Sequence, residues 1–212
     1  MFASRDDAGR KLGRWLEDQG VNAALILGLP RGGVVVAAAV AERFGLPLDV
    51  LIVRKIGHPA FREFALGALA EDGVIVLDEQ ATRYGKALDI EAVIREEQEN
   101  LRAYQALFAH PGKHPIASMH VLLVDDGIAT GATTEAAVRS ALKQGASSVT
   151  VTAPVASAQA VERLRGVADD VQVMIVDTKF DAVGRYYGSF PQTTDEEVLQ
   201  ILSGSRNRLS RH

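Results

Sequence analysis

A chain of 212 residues, 47% of them hydrophobic, is long enough to form one domain around a full core. Its formal net charge of −4 argues against a broad nucleic-acid footprint, and the absence of cysteine excludes disulfides, thiolate nucleophiles and cysteine-held metals. The opening MFASRDDAGRKLGRW lacks the apolar core of a secretion signal. No uncharged apolar run reaches the roughly 20 residues of a membrane span, so a cytoplasmic protein without a membrane partner is expected.

Asp6 to Gln19 reads as a first helix with Leu12, Trp15 and Leu16 on one stripe. Ala23 to Leu27 is a buried strand, followed by Gly28-Leu29-Pro30-Arg31-Gly32-Gly33 and a helix from Val34 to Phe44 that stops at Gly45. Leu48 to Val53 reads as the second strand. Arg54 to Arg62, carrying charges, Gly57 and Pro59 without periodicity, reads as a loop. Phe64 to Ala70 and Val74 to Leu77 flank Glu71-Asp72-Gly73, which predicts a hairpin. Asp89 to Ala109 has Ile90, Val93, Ile94, Leu101, Tyr104, Leu107 and Phe108 near helical spacing, a stripe for the core or for a dimer surface. Val121 to Val124, Ser148 to Ala153 and Val171 to Val176 follow as strands, with helices Thr134 to Gln144 and Ser157 to Arg165 between them. Thr194 is placed to cap a last helix, and Ser205 to His212 is polar and basic enough to fray. Strands alternating with helices predict an α/β fold. It is a mainly parallel, twisted sheet of about five strands flanked by helices, with an inserted hairpin and helix.

The segment VLLVDDGIATGATT, Val121 to Thr134, carries the chemistry. A strand buried on both faces delivers Asp125 and Asp126 to its carboxyl end, where open α/β sheets bind ligands. The turn that follows, rich in Gly, Ala and Thr, offers free amides and a positive helix terminus to a phosphate. Carboxylates would repel that phosphate, so they suit a hydroxyl-bearing or metal-bound end. Together these groups describe a sugar-phosphate site. An ordinary strand ending in two solvated acids is the bland alternative, and so dense a run of small and hydroxylated residues disfavours it.

This segment resembles the 5-phosphoribosyl-1-pyrophosphate (PRPP) motif of the type I phosphoribosyltransferases, and meets it at every position. The early Gly28-Leu29-Pro30-Arg31-Gly32-Gly33 is similar to the pyrophosphate-binding loop of those enzymes, near the Arg-Gly-Gly form of the xanthine-guanine members. GLPRGG, VRKIG, a long helical insertion and VDDGIATGAT in that order look most like a bacterial group for which no acceptor carries over. The resemblance implies the type I phosphoribosyltransferase fold over a single domain 1–212, with a core of about 23–176 and a small hood of about 177–192. It implies a Mg²⁺-dependent transfer of the 5-phosphoribosyl group to a nitrogenous base, with loss of pyrophosphate, in nucleotide metabolism or nucleoside salvage.

On that resemblance PRPP contacts fall on Asp125, Asp126, Gly127, Ala129, Thr130, Gly131, Ala132 and Thr133. Pyrophosphate contacts fall on Pro30, Arg31, Gly32 and Gly33. Asp125 and Asp126 would hold the ribose hydroxyls, offset the oxocarbenium-like charge and share Mg²⁺ through water and those hydroxyls. Arg54 and Lys55 would neutralise the departing pyrophosphate. His58 lies in the same loop, where a lone exposed histidine is more often incidental than catalytic. Ala129 stands where 6-oxopurine enzymes carry an Asp, which removes support for that acceptor class. Phe180, Tyr186 and Tyr187 of the hood could stack on an acceptor base, or anchor the hood on the core. A homo-oligomer, commonly a homodimer, is the family's usual state. Two rivals remain: a PRPP- or nucleotide-sensing regulator on the same fold, and a phosphate-ester hydrolase using both Asp residues and Asp177 for Mg²⁺.

Overall fold

The computed structural model describes residues 1–58, 65–78, 90–109 and 113–209. The chain runs α1 (Arg5–Asp18), β1 (Leu25–Gly28), α2 (Gly32–Phe44), β2 (Leu48–Val50), β3 (Val53–Gly57), β4 (Ala65–Ala70) and β5 (Ile75–Leu77). It continues through α3 (Ile90–Phe108), β6 (His120–Val124), α4 (Ala132–Lys143), β7 (Ser148–Ser157), α5 (Ala158–Arg165), β8 (Asp170–Asp177), a 3-10 turn (Val183–Tyr186) and α6 (Asp195–Leu209).

Five strands form a parallel sheet in the order β2-β1-β6-β7-β8. Alternation sends successive side chains to opposite faces. Ile26, Leu122 and Val124 pack with Leu12, Leu16, Val34, Val36, Val40, Val198 and Leu202 of α1, α2 and α6. Leu25, Leu27, Leu123, Val149 and Val151 pack with Ala137, Val138, Ala141, Ala160 and Leu164 of α4 and α5. Burial on both faces explains why these strands read as continuous apolar runs. α1 lies parallel on α2 with a contact every four residues. A Cβ on Gly9 would stand 2.6 Å from the Val36 carbonyl, and one on Gly13 would stand 3.6 Å from the Val40 Cα.

The expected second strand is divided. Leu48–Val50 completes the parallel sheet, and the chain then leaves at Leu51 and Ile52 to start a separate antiparallel sheet, β3-β4-β5. Asp49 Oδ1 accepts from the Val50 amide at 2.8 Å, and the Ile52 amide turns instead to the Glu71 carboxylate at 3.2 Å. Arg54 to Gly57 is therefore strand, paired with β4, and not the loop its composition suggests. The rest of that expected loop, 59–62, and Phe64 lie outside the described residues. The β4-β5 hairpin forms around Glu71 to Gly73 as its turn composition predicts.

α3 buries Leu101 and Phe108 and packs Ile90, Val93, Ile94 and Tyr104 against the same core, leaving Leu107 42% exposed. The Asp89 end of the expected helix is outside the described residues. Ser157 closes β7 and caps α5, its hydroxyl accepting from the Ala160 amide at 2.9 Å. Thr194 caps α6 in a reciprocal box with Glu197, as its position suggests. α6 does not fray at Ser205. That residue is buried and the helix runs on to Leu209, while 210–212 of the segment expected to fray lie outside the described residues.

Candidate functional site

β1 pairs with β6 from Leu25↔Val121 to Gly28↔Val124, so the turns after both strands open side by side. From β1 the chain steps outward to β2 on one side, and from β6 to β7 and β8 on the other. The crevice between them is the topological switch point, the place where an open α/β sheet receives ligands. The two motifs, far apart in sequence, meet there.

Their contact is steric as well as topological. A Cβ on Gly33 would lie 2.9 Å from the Val124 carbonyl and 3.0 Å from the Asp125 Cα. On Gly32 it would run into the Asp126 carboxylate. The second and third residues of the Arg-Gly-Gly run therefore let the early turn press against the two acids. The peptide between Pro30 and Arg31 is cis. Arg31 approaches Asp195 at the start of α6 at 3.7 Å.

Both acids are largely enclosed. Asp125 Oδ1 accepts from the Asp126 amide at 2.8 Å, and burial, then the neighbouring Asp126 charge, holds its carboxyl well above the ordinary range. Burial also raises Asp126, opposed by a guanidinium that sequence reasoning did not identify. Arg5 Nε donates to Asp126 Oδ2 at 2.6 Å, and both side chains are nearly out of water. Arg5 belongs to the first turn of α1. It lies one helical turn before Gly9, just as Gly32 lies one turn before Val36. The close parallel crossing of the two helices thus delivers Arg5 to Gly32 and Asp126. The only trace in sequence is the Arg5, Gly9, Gly13 spacing of four, legible once the partner helix is known.

The turn after β6 is fixed by its own hydrogen bonds and backbone. Ile128 bridges to Ala156, and Ser157 Oγ donates to the Ala129 carbonyl at 2.6 Å. Gly131 takes φ +78 to start α4, a conformation that favours glycine. Gly131 and Ala132 are buried, Thr133 is half-buried, and Ala129 and Thr130 face solvent. Glu135, in the same first turn, would oppose an anion. It is instead occupied by Arg139 at 2.8 Å and Arg163 at 2.6 Å. Thr130, Glu135, Gln159, Arg163 and Asp78 line a polar pocket of about 460 Å³ beside the turn.

Arg31 and Arg54 share a second pocket of about 230 Å³, with Pro30, Ile52, Val53 and Tyr104. Arg54 reaches it from β3, bonded to Glu97 of α3 at 3.0 Å and resting over the Tyr104 ring at 5.0 Å. Because Arg54 and Lys55 are consecutive in a strand, they leave it on opposite faces. Lys55 is exposed on the face shared with Val53, which packs towards α4. The pair therefore does not act from one side. His58 follows β3 at the edge of the described residues.

The hood aromatics are engaged with protein. Tyr187 is buried between Phe2 and Phe190, with ring centroids 5.5 and 4.8 Å away, and its hydroxyl donates to the Asp126 carbonyl at 2.5 Å. Burial, then the Asp126 charge, raises its phenol above the usual range. Phe180 stacks on Tyr186, whose hydroxyl donates to Asp177. That bond holds the Asp177 carboxyl below its ordinary range. Asp177 ends β8, two strands from β6, so it does not join Asp125 and Asp126 in the three-carboxylate site a hydrolase would need. Among the described residues no group of three or more His, Asp or Glu side chains is arranged to hold a metal. Among them no helix is long and apolar enough to cross a membrane.

The crevice at the switch point thus gathers paired acids, an amide-rich turn and the guanidiniums of Arg5, Arg31 and Arg54. Residues 4–187 match the phosphoribosyl transferase domain model. Two curated Mycobacterium tuberculosis proteins, both under provisional phosphoribosyl transferase names, are 41% identical over 206 residues, 95% of this chain. That alignment is 46% of each relative, so the chain spans less than half the length of the curated proteins it matches. The crystal structure of the Thermus thermophilus protein TT1426 shares 44% identity and superposes with a TM-score of 0.76, covering 95% of this chain and 97% of the other. The chain belongs to the phosphoribosyl transferase domain family.

Proposed function

We propose that this chain binds PRPP with Mg²⁺ in the crevice between β1 and β6 and transfers the 5-phosphoribosyl group to a nitrogenous base. The C1–O bond to pyrophosphate breaks, pyrophosphate departs with the electron pair, the base nitrogen forms the new C1–N bond, and the proton that nitrogen carried is released to solvent. The observation that carries this reading is the meeting of the Asp125-Asp126 turn with the Pro30 to Gly33 turn at adjacent strand ends.

Each part of PRPP has a matching part of the site. The 5-phosphate suits the amides of Gly131 and Ala132 and the hydroxyls of Thr130 and Thr133 at the start of α4. The ribose hydroxyls suit Asp125 and Asp126, whose charge also favours the cationic ring of the transition state. The pyrophosphate suits the pocket shared by Arg31 and Arg54, with Gly32 and Gly33 allowing close backbone approach. Lys55, on the other face of β3, would act on the same leaving group only from the α4 side. Two carboxylates supply oxygen donors alone, which fits a hard cation retaining its waters. Mg²⁺ there would be held by Asp125 and Asp126, through water and the ribose hydroxyls, and would offset the charge of the pyrophosphate.

The engagement of Phe180, Tyr186 and Tyr187 with protein favours their anchoring role over base stacking. The reading includes one domain over residues 1–212, a nucleobase-type acceptor, a homo-oligomeric state and a cytoplasmic setting. Pyrophosphate release from Mg·PRPP, measured with purine and pyrimidine bases added singly, tests it. Release dependent on one base supports the transferase and names its acceptor. Saturable PRPP binding with no release under any base would favour a PRPP-sensing regulator instead.

A further inference from the structure

We infer that Arg5 is a positioning residue for the ribose-binding carboxylate. It fixes Asp126 against the Pro30 to Gly33 turn and ties that orientation to the hood. The inference rests on the PRPP reading above and adds to it a residue from outside every motif.

Three groups fix the Arg5 guanidinium. Nε donates to Asp126 Oδ2 at 2.6 Å, one terminal nitrogen donates to the Pro191 carbonyl at 2.6 Å, and the plane covers the Phe190 ring at 3.6 Å from its centroid. A planar, forked cation satisfies all three at once, which a lysine ammonium cannot. The backbone carrying it is equally constrained. Phe2 N–H donates to the Tyr186 carbonyl at 2.8 Å, while Gly188 and Ser189 donate to the carbonyls of Phe2 and Ala3 at 2.7 and 3.0 Å. Ser4 caps α1, and Asp7 Oδ2 accepts from the Ala3 amide at 2.9 Å. The residues before α1 are thus zipped to the hood, and Arg5 is their projection into the crevice.

Asp126 is held from both ends by this assembly. Arg5 takes its carboxylate, and the Tyr187 hydroxyl takes its carbonyl. The side without a Cβ at Gly32 leaves the carboxylate room to lie flat on the early turn, where a Cβ would also stand 2.6 Å from Arg5 Nε. Without the guanidinium, a nearly buried carboxylate beside a second one would turn towards water. The ribose would then have to reorganise it on binding, at a cost in affinity.

The test uses the full chain and four probes by calorimetry with Mg²⁺: PRPP, ribose 5-phosphate, inorganic phosphate and inorganic pyrophosphate. Arg5→Ala is expected to weaken PRPP and ribose 5-phosphate by the same factor, about tenfold or more. Inorganic phosphate, which has neither ribose hydroxyls nor a diphosphate for the Mg²⁺ beside Asp126, should bind as to wild type. Arg5→Lys should recover only part of the loss. In an Asp126→Asn background, Arg5→Ala should add little further loss, because its partner is already gone. Unchanged ribose 5-phosphate affinity in Arg5→Ala would overturn the inference. So would an equal loss for all four probes together with a lowered Tm, which would make Arg5 merely structural. Wild-type protein that binds no PRPP would overturn the PRPP reading first, and this inference with it.

Discussion

The two halves of the site are assembled on different principles. The half proposed to bind phosphate is local: β6, its two acids and the turn into α4 are one continuous run of chain, and its amides and hydroxyls come with the motif. The half that orients the acids is assembled from afar. Arg5 comes from α1, Gly32 and Gly33 from the turn into α2, and Tyr187 with Pro191 from the hood. Groups proposed to contact the ligand can be concentrated in one motif. The groups that keep two neighbouring carboxylates in place cannot, because a buried charge needs partners from other elements.

Substitutions in the two halves should separate these roles. The largest effect is expected from Gly32→Val, since a branched side chain there would collide with both Asp126 and Arg5. PRPP binding should be lost and the melting temperature lowered, and thermal unfolding with and without PRPP measures both. A variant that keeps wild-type PRPP affinity would show that the two turns need not touch.

Asp125→Asn comes next, and its two readouts should move in opposite directions. Loss of a charge aimed at the developing cation should cost about 100-fold in turnover or more. The folded protein holds the Asp125 carboxyl above its unfolded value, so between those two values it binds more protons than the unfolded chain. Stability therefore falls as pH rises through that interval and stays lower above it. Removing the ionisable group should raise the ligand-free melting temperature at neutral pH and flatten its pH dependence. A variant less stable than wild type at neutral pH would contradict the assigned burial cost.

Thr130→Val probes the local half with a smaller step. The hydroxyl is exposed, so stability should stay within about 0.5 kcal/mol. PRPP affinity should drop roughly tenfold for the lost bond to a charged phosphate. A change in stability with affinity intact would make Thr130 structural. Tyr187→Phe is the mildest test of the remote half. It deletes the bond to the Asp126 carbonyl, for about 1 kcal/mol of stability and only a few-fold change in PRPP affinity.

The sequence made the local half legible because its information is contiguous. The apolar run, the acids and the small-residue turn sit in the order in which they fold, and Gly28 to Gly33 has the same strand-turn-helix logic. The break after Val50 was hidden because Leu51, Ile52 and Val53 continue the apolar run. The two bonds between Ile52 and Glu71, from the Ile52 amide to the Glu71 carboxylate and from the Glu71 amide to the Ile52 carbonyl, divert the chain into the second sheet. Arg54 and Lys55 looked alike in a presumed loop, and the strand separated them onto opposite faces. Arg5 was invisible for a related reason: its meaning depends on which helix α1 crosses and in what register, and neither is written in its neighbours. Phe180, Tyr186 and Tyr187 were recognisable as an aromatic cluster, but composition alone could not distinguish rings that hold the hood from rings that hold a ligand.

A calorimetric titration of Mg·PRPP into wild-type protein and into Asp126→Asn bears most directly on the site. Saturable binding to wild type is predicted, with affinity lower by about 100-fold in the variant, the scale expected for losing a charged, preorganised contact. Equal affinity in the two proteins, or no binding to wild type, would contradict the claim that the adjoining turns of β1 and β6 form a PRPP site.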